Sequence, residues 1–128
     1  MILLALDTST DHLSVALLQD GRVLAEQAGT GDRNHAMTLM AAIRDVLDRA
    51  GLSLTHVDAF ACTTGPGSYT GIRIGLATVK GMAFPHRRPA CGVSSLETLA
   101  FAHRPGRPGQ PILAVIEARN GRVYAAAW

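Results

Sequence analysis

Apolar residues run unbroken from Ile2 to Leu6 and stop at Asp7, the pattern of a strand buried on both faces. Two further strand-like runs, Ser14 to Gln19 and Arg22 to Gln27, flank Asp20-Gly21, the strongest short-range hairpin signal. A polar stretch from Gly29 to Asn34 leads into a helix from about His35 to Ala50. Leu39, Ile43, Val46, Leu47 and Ala50 mark its core face, and Gly51 stops it. The pattern then predicts a fourth strand over Asp58 to Thr63, a second helix over Gly71 to Ala83 and a fifth strand over Pro89 to Val93. A third helix, capped by Ser94 or Ser95, ends near His103. The order β-β-β-α-β-α-β-α describes an α/β domain: a three-stranded meander followed by parallel crossovers.

Beyond His103 the pattern changes. Arg104 to Pro111 holds three prolines and two glycines, which sustain neither helix nor inner strand. Ile112 to Ile116 and Arg122 to Ala127 then read as two strands around a turn at Asn120-Gly121. A hairpin alone is marginal in water. The expected organisation is a first domain over 1–104, a linker over 105–111 and, over 112–128, the opening hairpin of a truncated second domain.

Composition narrows the class. The 128 residues are 48% hydrophobic, enough for one compact core, and the net charge of +2 is too small to imply nucleic-acid binding by itself. Cys62 and Cys91 lie in apolar strand-like runs and read as small core residues in a reduced cytoplasm. Five apolar residues after Met1 make no signal peptide, and no run approaches the roughly 20 residues of a membrane span. The expectation is a soluble cytoplasmic protein.

Most of the candidate chemistry sits in Gly65-Pro66-Gly67-Ser68-Tyr69-Thr70-Gly71, with Arg73 just beyond. Glycines between a strand and a helix can aim several N–H groups into one concavity, and a helix N-terminus favours an anion there. No carboxylate occurs between Asp58 and Glu97, and no Gly-Lys-Ser/Thr follows, so the loop is not a Walker motif. The alternatives are an anion nest and a turn that shapes the second helix, with Ser68 or Thr70 as its cap. The lack of lysine and acidic groups favours the turn.

Two helix faces carry anomalies. Gly71, Gly75 and Thr78 put small groups on one side of the second helix, where each glycine costs about 0.8–1 kcal/mol relative to alanine. Met37, Met40 and Ala41 lie partly off the core stripe of the first helix, next to Arg44. Such faces suit a partner surface, or else pack on each other or on the sheet.

Ile2-Leu3-Leu4-Ala5-Leu6-Asp7-Thr8-Ser9, the segment Gly65 to Gly75, and Val115-Ile116-Glu117-Ala118-Arg119 with Val123-Tyr124 resemble the TsaB (YeaZ) family. The resemblance implies a ribonuclease-H-like domain of the actin, sugar kinase and Hsp70 (ASKHA) fold group. It implies a partner, TsaD, which transfers a threonylcarbamoyl group to adenosine beside the anticodon of ANN-decoding tRNAs. It also implies the ATPase TsaE reached through the TsaB–TsaD complex, a homodimer when TsaD is absent, and only indirect contact with tRNA.

By the same resemblance the two positions at which TsaD carries a metal-binding His-x-x-x-His pair fall here on Ser95 and Leu99, and Ser9 stands where many fold-group members have glycine. Leucine cannot coordinate a metal, and His12, His35, His56, His86 and His103 show no pair at helical spacing. The expected function is therefore a scaffold with no catalytic residue, no metal and no cofactor of its own, any nucleotide lying at the partner interface. The partner face would be Met37, Met40, Ala41, Arg44, Gly71, Gly75 and Thr78. An ASKHA-type phosphotransferase and a glycoprotease-like peptidase are the alternatives.

Overall fold

The computed structural model describes residues 1–30, 35–103, 109–118 and 120–128. Its strands are β1 (Ile2–Asp7), β2 (His12–Gln19), β3 (Arg22–Thr30), β4 (Ala59–Thr63), β5 (Ala90–Val93), β6 (Leu113–Glu117) and β7 (Val123–Ala127). Its helices are α1 (His35–Arg49), α2 (Tyr69–Ala83) and α3 (Ser95–His103). The predicted order holds, with β2 and β3 longer than expected. Residues 31–34 of the polar stretch and 104–108 of the expected linker lie outside the described residues.

Five strands form one sheet in the order β3-β2-β1-β4-β5, antiparallel across β1, β2 and β3 and parallel from β1 to β4 to β5. The β2–β3 hairpin turns on Asp20 and Gly21, both at positive φ (50° and 81°), the backbone of a primed turn matched to strand twist. The registers Leu4↔Leu17 and Leu4↔Phe60, then Leu6↔Val15 and Leu6↔Cys62, place one apolar row across three strands. Leu39, Ile43 and Val46 of α1 and Val79 and Met82 of α2 close over this row and complete the main core. Side chains buried this fully, Leu4, Leu17 and Phe60 among them, contribute about 1.5–3 kcal/mol each.

The opposite sheet face corrects the reading of β1 as buried on both sides. Leu3, Ala5, Ser14 and Ala16 are only half-buried there. Small side chains leave a hollow of about 230 Å³ bounded by Ala5, Ala16, Ala61 and, from α3, Thr98. The cysteines divide in the same way. Cys62 is buried in the core and Cys91, read as a core residue, is exposed; both are free thiols. Pairing of Ala61 with Cys91, and of Cys62 with Gly92, sends the two sulfurs to opposite faces of adjacent strands.

β6 and β7 form a separate two-stranded sheet around Asn120 and Gly121, at φ 64° and 69°. Leu96 and Ala100 of α3 pack on Ala114, Ile116 and Ala126 of that sheet, a second small core. Among the described residues no helix is long and apolar enough to cross a membrane.

Candidate functional site

The glycine loop is stitched into its own fold at four points. Ser68 N–H donates to the Ser9 carbonyl at 2.6 Å and Ser95 N–H to the Gly65 carbonyl at 2.9 Å. The Thr8 hydroxyl donates to the Gly71 carbonyl at 2.7 Å inside the protein. Ser68 Oγ accepts Gly71 N–H at 3.2 Å, so Ser68 caps α2; no capping bond by Thr70 joins it. The turn after β1, the start of α2 and the start of α3 thus converge on Gly65–Gly71, with a cis Gly65–Pro66 bond between them.

Glycine is required where these backbones meet. A Cβ on Gly67 would strike the Ser9 carbonyl oxygen and lie 2.9 Å from Ser9 Cβ. A Cβ on Gly71 would overlap the Thr8 carbonyl oxygen, and one on Gly75 would lie 2.5 Å from Thr8 Oγ1 and 3.2 Å from Leu6 Cδ1. Gly71 and Gly75 are buried, whereas Thr78 is half-buried. Gly71 and Gly75 are therefore not open to a partner, contrary to expectation: what approaches them is Leu6 of β1 and Thr8 in the turn after it, in the same chain.

Arg73 packs on a loop residue and not on the loop amides. Its guanidinium carbon lies 5.3 Å from the centroid of the Tyr69 ring, one turn back on α2, a cation–π contact on the exposed helix surface.

Asp7, which ends β1, is held by its neighbours. Its Oδ1 accepts Ser9 N–H at 2.8 Å and the Thr63 hydroxyl at 2.7 Å. Burial pushes the nearby Cys62 thiol above its ordinary pKa, with the Cys91 thiol and the Asp7 carboxylate adding in the same direction. Ser9 Oγ and Ser95 Oγ are buried on either side of the loop without a hydrogen-bond partner among the described residues.

The donor set does not fit the metal that the resemblance associates with TsaD. Ser95, buried, opens α3, and Leu99 follows one turn later; neither offers an imidazole. Among the described residues no three His, Cys, Asp or Glu side chains gather to hold an ion.

The open surface lies on α1. Met37 and Met40 are 77% and 53% exposed, and Ala41 and Arg44 continue the same stripe. Met40, Ala41 and Arg44 border a groove of about 780 Å³ whose floor includes Leu52, Leu54 and Met82. Four of the expected partner-face residues thus share one exposed stripe, and the α2 glycines do not join them. Met82 and the short 3-10 turn Leu54–His56 were missed in the sequence because neither breaks its local pattern.

Residues 22–127 match the family model of TsaD, the tRNA N6-adenosine threonylcarbamoyltransferase. The chain is 40% identical over its whole length to the tRNA threonylcarbamoyladenosine biosynthesis protein TsaB of Escherichia coli K12, of which it covers 55%. It is 42% identical to YeaZ from Pseudomonas aeruginosa, with a TM-score of 0.91 over 99% of this chain and 59% of that one. It thus spans little more than half the length of these relatives. RuvC of Thermus thermophilus in complex with its Holliday junction substrate shares the fold at 16% identity with a TM-score of 0.54, and a ROK hexokinase of the same organism does so at 16% and 0.51. The fold is ribonuclease-H-like, of the ASKHA type.

Proposed function

Because the chain belongs to the TsaD family of tRNA N6-adenosine threonylcarbamoyltransferases, with TsaB (YeaZ) proteins among its similar members, we propose that it is a non-catalytic partner of TsaD in threonylcarbamoyladenosine synthesis. One observation carries the reading: the loop is tied into the fold at Ser68 and Gly71 and one carboxylate oxygen of Asp7 is engaged twice, while α1 leaves a methionine-lined groove open. Ser68 N–H and the Thr8 hydroxyl close the loop, and Asp7 is engaged by Ser9 and Thr63. A methionine face adapts to a partner's shape, and a groove flanked by Arg44 supplies a polar rim.

On this reading TsaD carries the transfer chemistry, a second copy occupies the α1 face when TsaD is absent, and TsaE joins through the pair. A nucleotide belongs at the interface with the partner and not in the chain alone. The domain division at the 105–111 linker is part of the same proposal, the second domain beginning with the hairpin of β6 and β7.

The test is association of the chain with TsaD, followed by light scattering and calorimetry. Met40→Asp places a charge in the groove without touching the core and is expected to weaken the complex at least about tenfold, with threonylcarbamoyladenosine yield falling in step. Undiminished affinity for Met37→Asp/Met40→Asp would move the interface off α1.

A further inference from the structure

Helix α2 ends in a surface that the α1 groove does not explain. Phe84 is 86% exposed, and Lys80, His86, Arg87 and Arg88 around it are exposed as well. The segment is fixed: Phe84 N–H donates to the Lys80 carbonyl, Arg87 N–H to the Phe84 carbonyl at 3.1 Å, and Arg88 N–H to the Ala83 carbonyl at 3.0 Å. Arg88 lies 3.6 Å from Asp58, whose other carboxylate oxygen accepts Ile2 N–H. Lys80, His86 and Arg87 have no ion pair among the described residues.

Cations near a helix C-terminus complement its carbonyl ends, which accounts for Lys80. It does not account for His86 and Arg87, which lie past the helix end in the turn. Nor does it account for an aromatic ring held in water among four basic groups. Phe84-Pro85-His86-Arg87-Arg88 keeps a stacking face beside phosphate-binding groups on a rigid backbone, the combination that recognises unpaired RNA.

We propose that this turn is an RNA contact, Phe84 stacking on an unpaired base while Lys80 and Arg87 meet the adjoining phosphates. The choice of RNA among polyanions rests on the proposed role in tRNA modification. It revises the expectation of purely indirect contact with tRNA, since the chain would add a modest foothold to RNA held by the partner. This surface sits at the amino-terminal edge of the parallel strands, where Phe60 N–H meets the Pro89 carbonyl, and so opposite the glycine loop.

The test is fluorescence anisotropy with a labelled, unmodified tRNA transcript and a single-stranded RNA oligonucleotide, titrated with the full chain and its TsaD complex over a range of salt. Arg87→Gln is expected to flatten the dependence of log affinity on log salt by about 0.7–0.9 on every RNA. Phe84→Ala is expected to weaken single-stranded binding at least about fivefold and to leave the salt dependence unchanged. Arg122→Gln, an equal loss of charge in the β6–β7 turn, should do neither. Equal affinity of Phe84→Ala and the unsubstituted chain, or an equal loss in Arg122→Gln, overturns the proposal. Complex assembly is read in the same samples: an intact complex with insensitive RNA binding rejects this contact alone, and RNA binding lost in Phe84→Ala without any complex rejects the partner role alone.

Discussion

Gly71→Ala and Gly81→Ala change the same helix by the same methyl group and should move stability in opposite directions. At Gly81 a Cβ meets nothing within 4 Å, so alanine contributes only its helix propensity, about 0.8–1 kcal/mol. For a chain of this length that is roughly 3–5 °C in Tm. At Gly71 the new Cβ would overlap the Thr8 carbonyl oxygen and stand 3.1 Å from its carbon, and that carbonyl is backbone in a buried turn tied down by the Ser68-to-Ser9 and Thr8-to-Gly71 hydrogen bonds, with little room to rotate away. Overpacking of this kind costs about 1–3 kcal/mol. Separating the elements also breaks the buried Thr8–Gly71 hydrogen bond, about 1–3 kcal/mol more if the groups stay dry. Against a propensity gain of about 1 kcal/mol, the net loss is about 1–5 kcal/mol. Gly75→Ala should fall between the two, because the obstacle there is the Thr8 hydroxyl at 2.5 Å, which can turn only by giving up its bond to the Gly71 carbonyl. Urea unfolding followed by far-UV circular dichroism gives the three midpoints. Equal midpoints for Gly71→Ala and Gly81→Ala would show that the glycine face does not seat β1, and would return it to a partner surface.

Ser68→Ala removes the α2 cap and should cost about 0.5–2 kcal/mol by the same unfolding assay. Asp7→Ala strips Ser9 N–H and the buried Thr63 hydroxyl of their acceptor and should cost about 1–3 kcal/mol, whereas a value near zero would mean that water replaces the carboxylate. Cys91 should react with iodoacetamide at pH 8 well before Cys62, read by peptide mass, because Cys62 is buried and its thiol is harder to ionise. Since the fold holds the Cys62 proton longer than the unfolded chain does, its contribution to stability is complete below about pH 9 and falls as the pH rises further. Cys62→Ala should flatten that alkaline decline.

Local signals carried most of the secondary structure. Asp20-Gly21 and Asn120-Gly121 set two hairpins, the Leu39-to-Leu47 stripe set the core face of α1, and Gly51 ended it at φ 65°. What stayed hidden was the identity of the neighbour. A glycine pair one turn apart announces a close approach, yet the approaching backbone, Thr8, stands 63 residues earlier in the chain. Cys91 was misplaced for a related reason: β5 is an edge strand, so an apolar run there need not be buried. Phe84 carried no signal of its own: the predicted helix already ended at Ala83, and the exposure of the residue beyond it cannot be read from a pattern that stops there.

The bond from Thr8 to Gly71 also bears on how the protein comes off the ribosome. The meander of β1, β2 and β3 needs only neighbouring segments and can pair early. β1 nevertheless reaches its parallel partner only when Ala59 to Cys62 arrive. Closing so long a loop costs entropy before any contact repays it. Until Tyr69–Ala83 have left the exit tunnel, α1 can close over β2 and β3, but Leu4 and Leu6 of β1 still lack the cover of α2. The glycines of α2 then act as a latch. Their arrival lets the youngest helix seat against the oldest strand and shelters that surface from chaperones and from other nascent chains.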